Sequence, residues 1–283
     1  MKRLLITGST GFIGKSVTPI LHTQYDIFTP TRDKLNLLDT ESVRQYLKEG
    51  KFDVIIHLAN PTAQNPVDER SKLFELSLRV FMSLLHNNDE FGKMIYIGSG
   101  AEYGKHRDIS QISENEFGRE LPLDPYGLSR YIMNQLAGLY DNIINLRVFG
   151  CYGYGDLQHK LIQHVISCIS DNEPINLRQN TLFDFIYVKD IAPVLTHFIE
   201  NTYMYKSYNL CSGEPVIIGD IADIIRREMN SELPITFEKD GYGLEYTGDN
   251  HRLRSEISEW KPHSLVEGIK EMLADMKGTN NVE

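Results

Sequence analysis

One tyrosine and one arginine stand four residues apart in the stretch LDPYGLSRYI, just after a proline. At this spacing Tyr126 and Arg130 would share one face of a helix. A free phenol titrates near ~10, and a neighbouring positive charge lowers its pKa, so Tyr126 could give or take a proton near neutral pH. The alternative is an ordinary helix start that carries an exposed charge. We predict that Tyr126 is a catalytic acid or base and that Arg130 acts on its pKa.

A second Tyr-xxx-Arg pair, Tyr103 and Arg107 in YGKHR, tests whether spacing alone is informative. It lies in a polar loop, with a glycine next to the tyrosine and no apolar helix after it. Tyr126 instead begins a long amphipathic segment, which favours Tyr126. An arginine at position 130 keeps a permanent charge but cannot release a proton as an ammonium can. A catalytically weak protein therefore stays open as an alternative.

Ser99 is the candidate second hydroxyl. It follows the apolar strand KMIYIG, so it would emerge at a carboxyl end of the sheet, where parallel α/β proteins bind ligands. There it could hold the substrate oxygen on which Tyr126 acts. The alternative is a serine that satisfies a turn.

Alternating strands and helices must position these side chains. The strands RLLIT, YDIFTP, FDVIIHLA, KMIYIGS and IINLRVF are separated by helical patterns. This alternation predicts an α/β fold with a doubly wound, Rossmann-type parallel sheet. We expect residues 1–152 with 179–212 to form that domain and 153–178 with 213–276 to form a smaller, discontinuous α/β substrate domain. The tail 277–283 should be frayed.

The glycines of TGSTGFIG mark the first strand-to-helix junction. Gly8, Gly11 and Gly14 would permit a tight turn and bring the backbone close to a diphosphate at the helix N-terminus. This position at the start of a βαβ unit predicts a dinucleotide site, against mere turn glycines. After the second strand, Arg32 is present and no acid occurs before Asp33, which favours NADP(H) over NAD(H).

The composition narrows the class of partner. The formal net charge is −10 and basic residues do not cluster, which argues against nucleic acid and anionic membranes. Three separated cysteines suggest neither a disulfide framework nor a metal site. No apolar stretch reaches the ~18 residues of a membrane helix. We expect a cytoplasmic protein with a small-molecule substrate and a local positive site.

Taken together, these motifs resemble the extended short-chain dehydrogenase/reductase family, also called the NAD-dependent epimerase/dehydratase family, over nearly the whole chain. TGSTGFIG is similar to its cofactor loop, GSGAEYG to its active-site serine segment, and PYGLSR to its YxxxK motif. DFIYVKDIA and YNLCSGEP are also similar to family segments. The resemblance implies a catalytic triad of Ser99, Tyr126 and Arg130. It implies cofactor contacts from Gly8, Thr10, Gly11, Phe12, Ile13, Gly14, Arg32, Leu38, Asp39, Leu58, Ala59, Asn60, Tyr126 and Arg130.

Within this family the chain is most similar to GDP-fucose synthases and dTDP-4-dehydrorhamnose reductases, which use NADPH. Dehydratases of the family carry an Asp-Glu pair where this chain has Gly100 and Ala101, and fucose synthases carry a cysteine at the position of Ala101. Simple reduction or 4-epimerisation therefore remains. The predicted substrate contacts are Ser99, Gly100, Ala101, Gly150, His159, Arg178 and Arg252.

The resemblance therefore predicts an NADPH-dependent reductase of a nucleotide-linked 4-keto-6-deoxy or 3,6-dideoxy sugar. A nucleoside-diphosphate sugar would be the substrate. An epimerase that retains NAD(H), or a catalytically weak NADP-binding regulator, stays open. Family members commonly dimerise through two helices, which here would include residues 66–86 and 125–141, so we expect a homodimer.

Overall fold

The computed structural model describes residues 1–61 and 70–279. The strands are β1 (Arg3–Thr7), β2 (Asp26–Phe28), β3 (Val54–His57), β4 (Lys93–Ser99), β5 (Ile109–Ile112), β6 (Ile143–Val148), β7 (Gly150–Tyr152), β8 (Ile175–Asn180), β9 (Leu182–Phe183), β10 (Phe185–Tyr187), β11 (Ser207–Leu210), β12 (Val216–Ile217), β13 (Ile235–Tyr242) and β14 (Tyr246–Gly248). The α-helices are α1 (Phe12–Leu21), α2 (Thr40–Gly50), α3 (Arg70–Leu85), α4 (Pro125–Ala137), α5 (Leu161–Ser170), α6 (Ile191–Glu200), α7 (Ile218–Glu228), α8 (His251–Glu256) and α9 (Leu265–Thr279).

A six-stranded parallel sheet forms the centre of the molecule, in the order β2-β1-β3-β4-β6-β11. The register pairs Thr7 with His57 and Ser99 with Val148, so these strand ends lie along one edge. The chain direction across the sheet reverses between β1 and β3, and the crevice at such a point is where open α/β sheets bind ligands. The predicted doubly wound Rossmann-type sheet is confirmed.

Helices cover both faces of this sheet because its strands are apolar on both sides. In β1, Leu4 and Ile6 join the buried cluster that includes residues of α1 and α6. Leu5 points to the opposite face and joins the cluster that includes residues of α2, α3 and α4. The helix α4, which carries Tyr126, is therefore anchored to the sheet through Met133 and Ala137.

Short sheets occupy much of the second half. They pair β7 with β10, β8 with β13, and the four strands β12-β9-β14-β5. The sequence patterns did not indicate β5 or β14. Both strands are short, their apolar and polar residues do not alternate clearly, and they pair only in the folded chain. The two-domain division stays a prediction, since β5 and β9 from one predicted unit share a sheet with β12 and β14 from the other.

The predicted tail 277–283 and the predicted dimerisation helix 66–86 are described only in part. Helix α9 continues to Thr279, so residues 277–279 of the predicted frayed tail are helical, and 280–283 lie outside the described residues. Residues 66–69 of the predicted dimerisation helix also lie outside them. Among the described residues, no helix is both long enough and apolar enough to span a membrane.

A histidine clamp ties the segment before α9 to the turn Val188–Asp190. His263 Nδ1 lies 2.6 Å from a carboxylate oxygen of Asp190, and its Nε2 lies 3.3 Å from Glu271. The His263 N–H donates to the other Asp190 oxygen at 2.9 Å. Burial disfavours the imidazolium, but the hydrogen bond and charge of Asp190 and the charge of Glu271 outweigh it and raise the pKa of His263.

The raised pKa of His263 predicts a pH-dependent part of the free energy of unfolding. This contribution is fully present below the unfolded pKa of 6.5 and is lost as pH rises through the higher folded pKa. Because the side chain of His263 is 37% exposed, we expect at most about 1 kcal/mol. Urea unfolding of wild type and His263→Gln should differ at acidic pH and converge on the alkaline side. A constant difference across this pH range would contradict the ion pair.

Candidate active site

Ser99 is held rigidly at the end of β4. It is buried and caps the short 3-10 helix Gly100–Tyr103: the Ala101 N–H donates to Ser99 Oγ at 3.1 Å. In return, the Ser99 N–H donates to Glu102 Oε1 at 3.0 Å. This reciprocal capping box fixes the backbone on both sides of the serine hydroxyl.

A buried ion pair anchors this turn to the sheet. Glu102 and Arg147 are fully buried, and Arg147 Nε donates to Glu102 Oε2 at 2.6 Å. Asn145, the other polar residue of β6 in the cluster, donates to both carboxylate oxygens at 3.1 and 3.0 Å. Every carboxylate oxygen is thus satisfied, as burial of a charge requires. No local sequence pattern marks this network, because Asn145 and Arg147 lie 43 and 45 residues from Glu102.

Tyr126 is the second residue of α4, and the start of that helix has strong local signals. Pro125 occupies the first turn, and the Gly127 N–H donates to Asp124 at 2.8 Å. Tyr126 is 46% exposed, yet desolvation of its hydroxyl still opposes ionisation. The charge of Arg130 and a hydrogen bond with Ser99 nevertheless bring the pKa of Tyr126 below its ordinary value.

Arg130 is a buried cation beside this tyrosine. It is 4% exposed, and its guanidinium carbon lies 5.3 Å from the centre of the Tyr126 ring. Its Nη1 lies 3.5 Å from Met133 Sδ, a weak acceptor, and its Nε has no hydrogen-bond partner among the described residues. An unpartnered buried guanidinium nitrogen is costly, so a polar ligand group at this position would be stabilised.

His57 lies at the carboxyl end of β3, in the electrostatic range of Arg130. Its Nδ1 is hydrogen-bonded to the Thr7 hydroxyl at 2.8 Å, which joins the ends of β3 and β1. Burial and the charge of Arg130 lower the pKa of His57 to about 3, so its ring is neutral at physiological pH. The histidine is therefore a fixed polar group at the switch point of the sheet rather than a proton carrier.

Two further residues reach the Ser99–Tyr126 pair from distant parts of the chain. Tyr246, on β14, is 5% exposed and makes a hydrogen bond with Ser99. Lys105 places its ammonium 4.5 Å from the centre of the Tyr246 ring, and its charge also acts on Tyr126. The sequence analysis missed both residues, because no local pattern marks a loop lysine or a tyrosine in a three-residue strand.

The glycine turn at the end of β1 fits a dinucleotide diphosphate. Gly8 has a φ of +76°, and a Cβ there would lie 2.5 Å from the Ala59 nitrogen. A Cβ at Gly14 would lie 2.3 Å from the Gly8 carbonyl oxygen. Gly11 precedes α1 without a side-chain cap, which leaves N–H groups of the first turn for an anion. The turn is therefore packed too closely for side chains at Gly8 and Gly14, and its free backbone N–H groups are available to a diphosphate.

The segment after β2 carries three of the predicted cofactor residues, Arg32, Leu38 and Asp39. Arg32 is exposed and, among the described residues, forms no hydrogen bond or ion pair. Asp33 is engaged by the Thr31 side chain, and this hydrogen bond lowers the pKa of Asp33. Asp39 caps α2 by accepting from the Ser42 N–H at 3.1 Å, and the Leu38 N–H donates to the Asn36 side chain.

The other predicted cofactor residues lie around the same crevice. The Leu58 N–H donates to the Thr7 carbonyl at 3.0 Å, so the segment after β3 runs beside the glycine turn. Asn60 accepts a hydrogen bond from the Ser77 hydroxyl of α3 at 3.3 Å. Thr10 is exposed in the turn, and Phe12 and Ile13 form the first turn of α1.

The predicted substrate residues divide into two groups. Gly100 and Ala101 adjoin Ser99 in the 3-10 helix, and Gly150 lies on β7 opposite Phe185. His159 is exposed in the loop before α5, and Arg178 is exposed on β8. The structure does not bring Arg178 into contact with Ser99 or Tyr126.

Arg252 makes several polar contacts within the fold. Its guanidinium donates to the Asn115 side chain at 2.8 Å and to the Ser207 carbonyl at 3.2 Å. It also pairs with the buried Glu114 at 3.5 Å. Ser207 is the first residue of β11, at the amino end of the strand, whereas the site lies at the carboxyl ends. These contacts engage the Arg252 guanidinium within the fold, and its contact with substrate stays a prediction.

A family model provides the decisive comparison. The model of the NAD dependent epimerase/dehydratase family matches residues 4–211, more than half of the 283-residue chain. The chain belongs to this family. The predicted membership of the extended short-chain dehydrogenase/reductases is confirmed, and with it the prediction that the protein is an enzyme.

Individual members of the family are similar over most of the chain. A GDP-6-deoxy-D-talose 4-dehydrogenase from Aggregatibacter actinomycetemcomitans is 26% identical, covering 75% of this chain and 74% of the relative. The GDP-mannoheptose C4 reductase from Campylobacter jejuni, solved with NADP bound, has a TM-score of 0.83 at 18% identity and covers 98% of both chains. The UDP-glucose 4-epimerase from Thermus thermophilus, solved with NAD, has a TM-score of 0.81 at 19% identity, covering 98% of this chain and 99% of that one.

Proposed function

We propose that the protein is an NADPH-dependent reductase of a nucleotide-linked 4-keto-6-deoxy or 3,6-dideoxy sugar. The observation that carries this proposal is the Tyr126 phenol, made acidic by Arg130 and hydrogen-bonded to Ser99, at the sheet edge that also carries the glycine turn. The relatives named as a 4-dehydrogenase and a C4 reductase support a reaction at carbon 4.

Each side chain has a defined part in carbonyl reduction. A nicotinamide coenzyme, when bound, supplies the hydride. Tyr126 donates its phenolic proton to the carbonyl oxygen as negative charge develops there, and Ser99 donates a hydrogen bond that holds this oxygen in place. Arg130 stabilises the resulting phenolate through its permanent charge. Arg130, through its unpartnered Nε, and the neutral His57 are among the residues that would hold the bound cofactor.

The surroundings of Ser99 disfavour elimination of water. Gly100 and Ala101 carry no acid or base, and the acid next along the chain, Glu102, is fully buried and paired with Arg147. A carboxylate held in that network cannot reach a substrate proton. The structure thus supports reduction, in which one proton donor is sufficient.

The preference for NADPH rests on Arg32, and its replacement is a direct test. Arg32→Glu should weaken NADPH binding about 10–100-fold, the range expected for a lost charge-assisted hydrogen bond, and should affect NADH much less. Titration calorimetry with both coenzymes measures this. Arg178→Glu introduces the same charge change on β8 and should leave both affinities unchanged. Equal losses for NADPH and NADH would contradict a 2′-phosphate contact.

The proposed reaction is tested with a panel of 4-keto sugar nucleotides. We expect NADPH oxidation, followed by absorbance, with at least one GDP-, CDP-, dTDP- or UDP-linked 4-keto-6-deoxy sugar, and a reduced sugar nucleotide as product by mass spectrometry. Binding of NADPH without turnover of any substrate would indicate a binding protein. Purification with tightly held NAD(H) and interconversion of 4-epimers would indicate an epimerase instead.

The proposal includes a cytoplasmic homodimer. Its support is the set of three free cysteines, typical of reducing compartments, and the exposed apolar side chains of Met82 and Leu139, 36% and 76% exposed, on or just after the helices α3 and α4. Sedimentation equilibrium of the purified protein measures the mass in solution.

A further inference from the structure

A tyrosine hydroxyl fills the space beside Gly100 that a side chain would otherwise take. An ideal Cβ on Gly100 would lie 2.5 Å from Tyr246 Oη, closer than real Cβ atoms come to a neighbour. The Tyr246 ring is fixed there by Phe149 and Phe183, whose ring centres lie 5.1 and 4.8 Å away. Glycine at position 100 and tyrosine at position 246 are therefore matched: the missing side chain admits the phenol to Ser99.

We propose that Tyr246 and Lys105 complete the catalytic site, with Tyr246 as a positioning residue for Ser99 and Lys105 as a second cation acting on Tyr126. This inference rests on the proposed function, since it concerns the proton donor of that reaction. It assigns a role to two segments outside the Ser-Tyr-Arg motif. It also supplies a titratable cation at a site where Arg130 provides only a permanent one.

The number of hydrogen bonds that the Ser99 hydroxyl can make supports Tyr246 as its positioning residue. Burial raises the pKa of Tyr246 well above its ordinary value, so this phenol stays protonated. Ser99 Oγ accepts from the Ala101 N–H at 3.1 Å, and in the proposed arrangement Tyr246 is its second donor, so that both lone pairs are used. Its single O–H must point elsewhere, toward Tyr126 or the substrate oxygen. Tyr246 thereby selects the orientation in which Ser99 is a donor to the reaction.

The position of Lys105 supports its part. Its ammonium lies over the Tyr246 ring, and among the described residues it forms no ion pair. Lys105 is exposed at the rim of the cleft. Partial desolvation and the charge of Lys160 lower the pKa of Lys105, while Tyr126 and Asp124 oppose this. The groups that act on Tyr126 come from five parts of the chain: Arg130 on α4, Ser99 on β4, Lys105 and Lys160 in two loops, and Tyr246 on β14. Asp124, just before α4, acts on Lys105. The cations outnumber the single carboxylate, which makes the cleft locally positive in an acidic protein.

Ultraviolet titration of tyrosinate tests the role of Lys105 without substrate or coenzyme. The difference between wild type and Tyr126→Phe isolates the ionisation of Tyr126, and the same difference is taken in each variant background. We expect Lys105→Met to move the Tyr126 midpoint to higher pH and Lys105→Arg to leave it in place. Lys34→Met, an exposed lysine beside Arg32, is the control and should have no effect. An unchanged midpoint in Lys105→Met would overturn this part.

A double-mutant cycle tests the role of Tyr246. We expect Tyr246→Phe and Ser99→Ala each to raise the Tyr126 midpoint, and Tyr246→Phe to add nothing in the Ser99→Ala background. In turnover, Tyr246→Phe should lower kcat about 5-fold, as for one lost hydrogen bond, with the KM for coenzyme unchanged. Additive shifts in the two backgrounds would show that Tyr246 does not act through Ser99. Because the titration needs no substrate, it decides this inference even if no keto sugar is reduced.

Discussion

Tyr126→Phe is expected to lower kcat for keto-sugar reduction by about 10²–10⁴-fold, the range for loss of a general acid. Tyr126 is the proton donor of the proposed reaction, and phenylalanine keeps the ring while removing the proton. Affinity for coenzyme should change little, because the ring still packs 5.3 Å from the Arg130 guanidinium. Steady-state kinetics and coenzyme titration measure the two effects separately.

The pH profile adds a second signature of the same residue. In the direction of reduction, kcat should fall as pH rises through the lowered pKa of Tyr126, because the phenolate has no proton to give. Tyr131→Phe, one residue after Arg130 on the same helix, is the matched control, since its hydroxyl only accepts from Gln135 on the helix surface. Comparable losses in Tyr131→Phe and Tyr126→Phe would remove the catalytic assignment.

Arg147→Met is expected to destabilise the fold by about 3–5 kcal/mol, the largest stability effect among the side chains discussed. The change removes a guanidinium that lies 2.6 Å from Glu102 and leaves a fully buried carboxylate held only by neutral donors. Guanidinium chloride unfolding gives the free energy of unfolding directly. Because Glu102 also holds the Ser99 N–H, residual folded protein should lose activity as well.

Two further variants separate the effect of leaving a buried charge unpaired from the effect of losing an arginine side chain. Arg119→Met removes an exposed arginine paired with Glu116 at 3.4 Å and should cost no more than about 1 kcal/mol. Arg147→Met combined with Glu102→Gln removes both charges and should be less destabilised than the sum of the single changes. Strict additivity would show that the ion pair contributes no coupling.

Much of the fold and the centre of the site could be predicted because their signals are local. The glycine turn, Ser99 after its strand and Tyr126 after Asp-Pro each depend on a few neighbouring residues, which also set the helix and strand ends. Glu102 and Arg147 could not be paired in advance, since burial converts two charged residues of ordinary appearance into one network. Tyr246 reaches Ser99 only because β14 pairs with β9 and β5.

The partners of an arginine are equally hard to predict from the sequence. Arg252 has the residue type that binds diphosphates, yet Glu114, Asn115 and Ser207 already engage its guanidinium. A sequence gives the charge of a side chain but not which acids compete for it. The partner of Arg130 could be predicted, because Tyr126 lies four residues earlier on the same helix and their contact does not depend on distant parts of the chain.

The close approach of Tyr246 to Gly100 constrains how this enzyme could diverge toward new chemistry. An acidic residue at position 100, of the kind that elimination needs, would collide with the Tyr246 hydroxyl at the first carbon of its side chain. The Phe149 ring, 2.9 Å from the same carbon, would crowd it as well. Laboratory evolution toward a dehydratase would therefore have to move or replace Tyr246 and Phe149 before position 100 could carry a side chain.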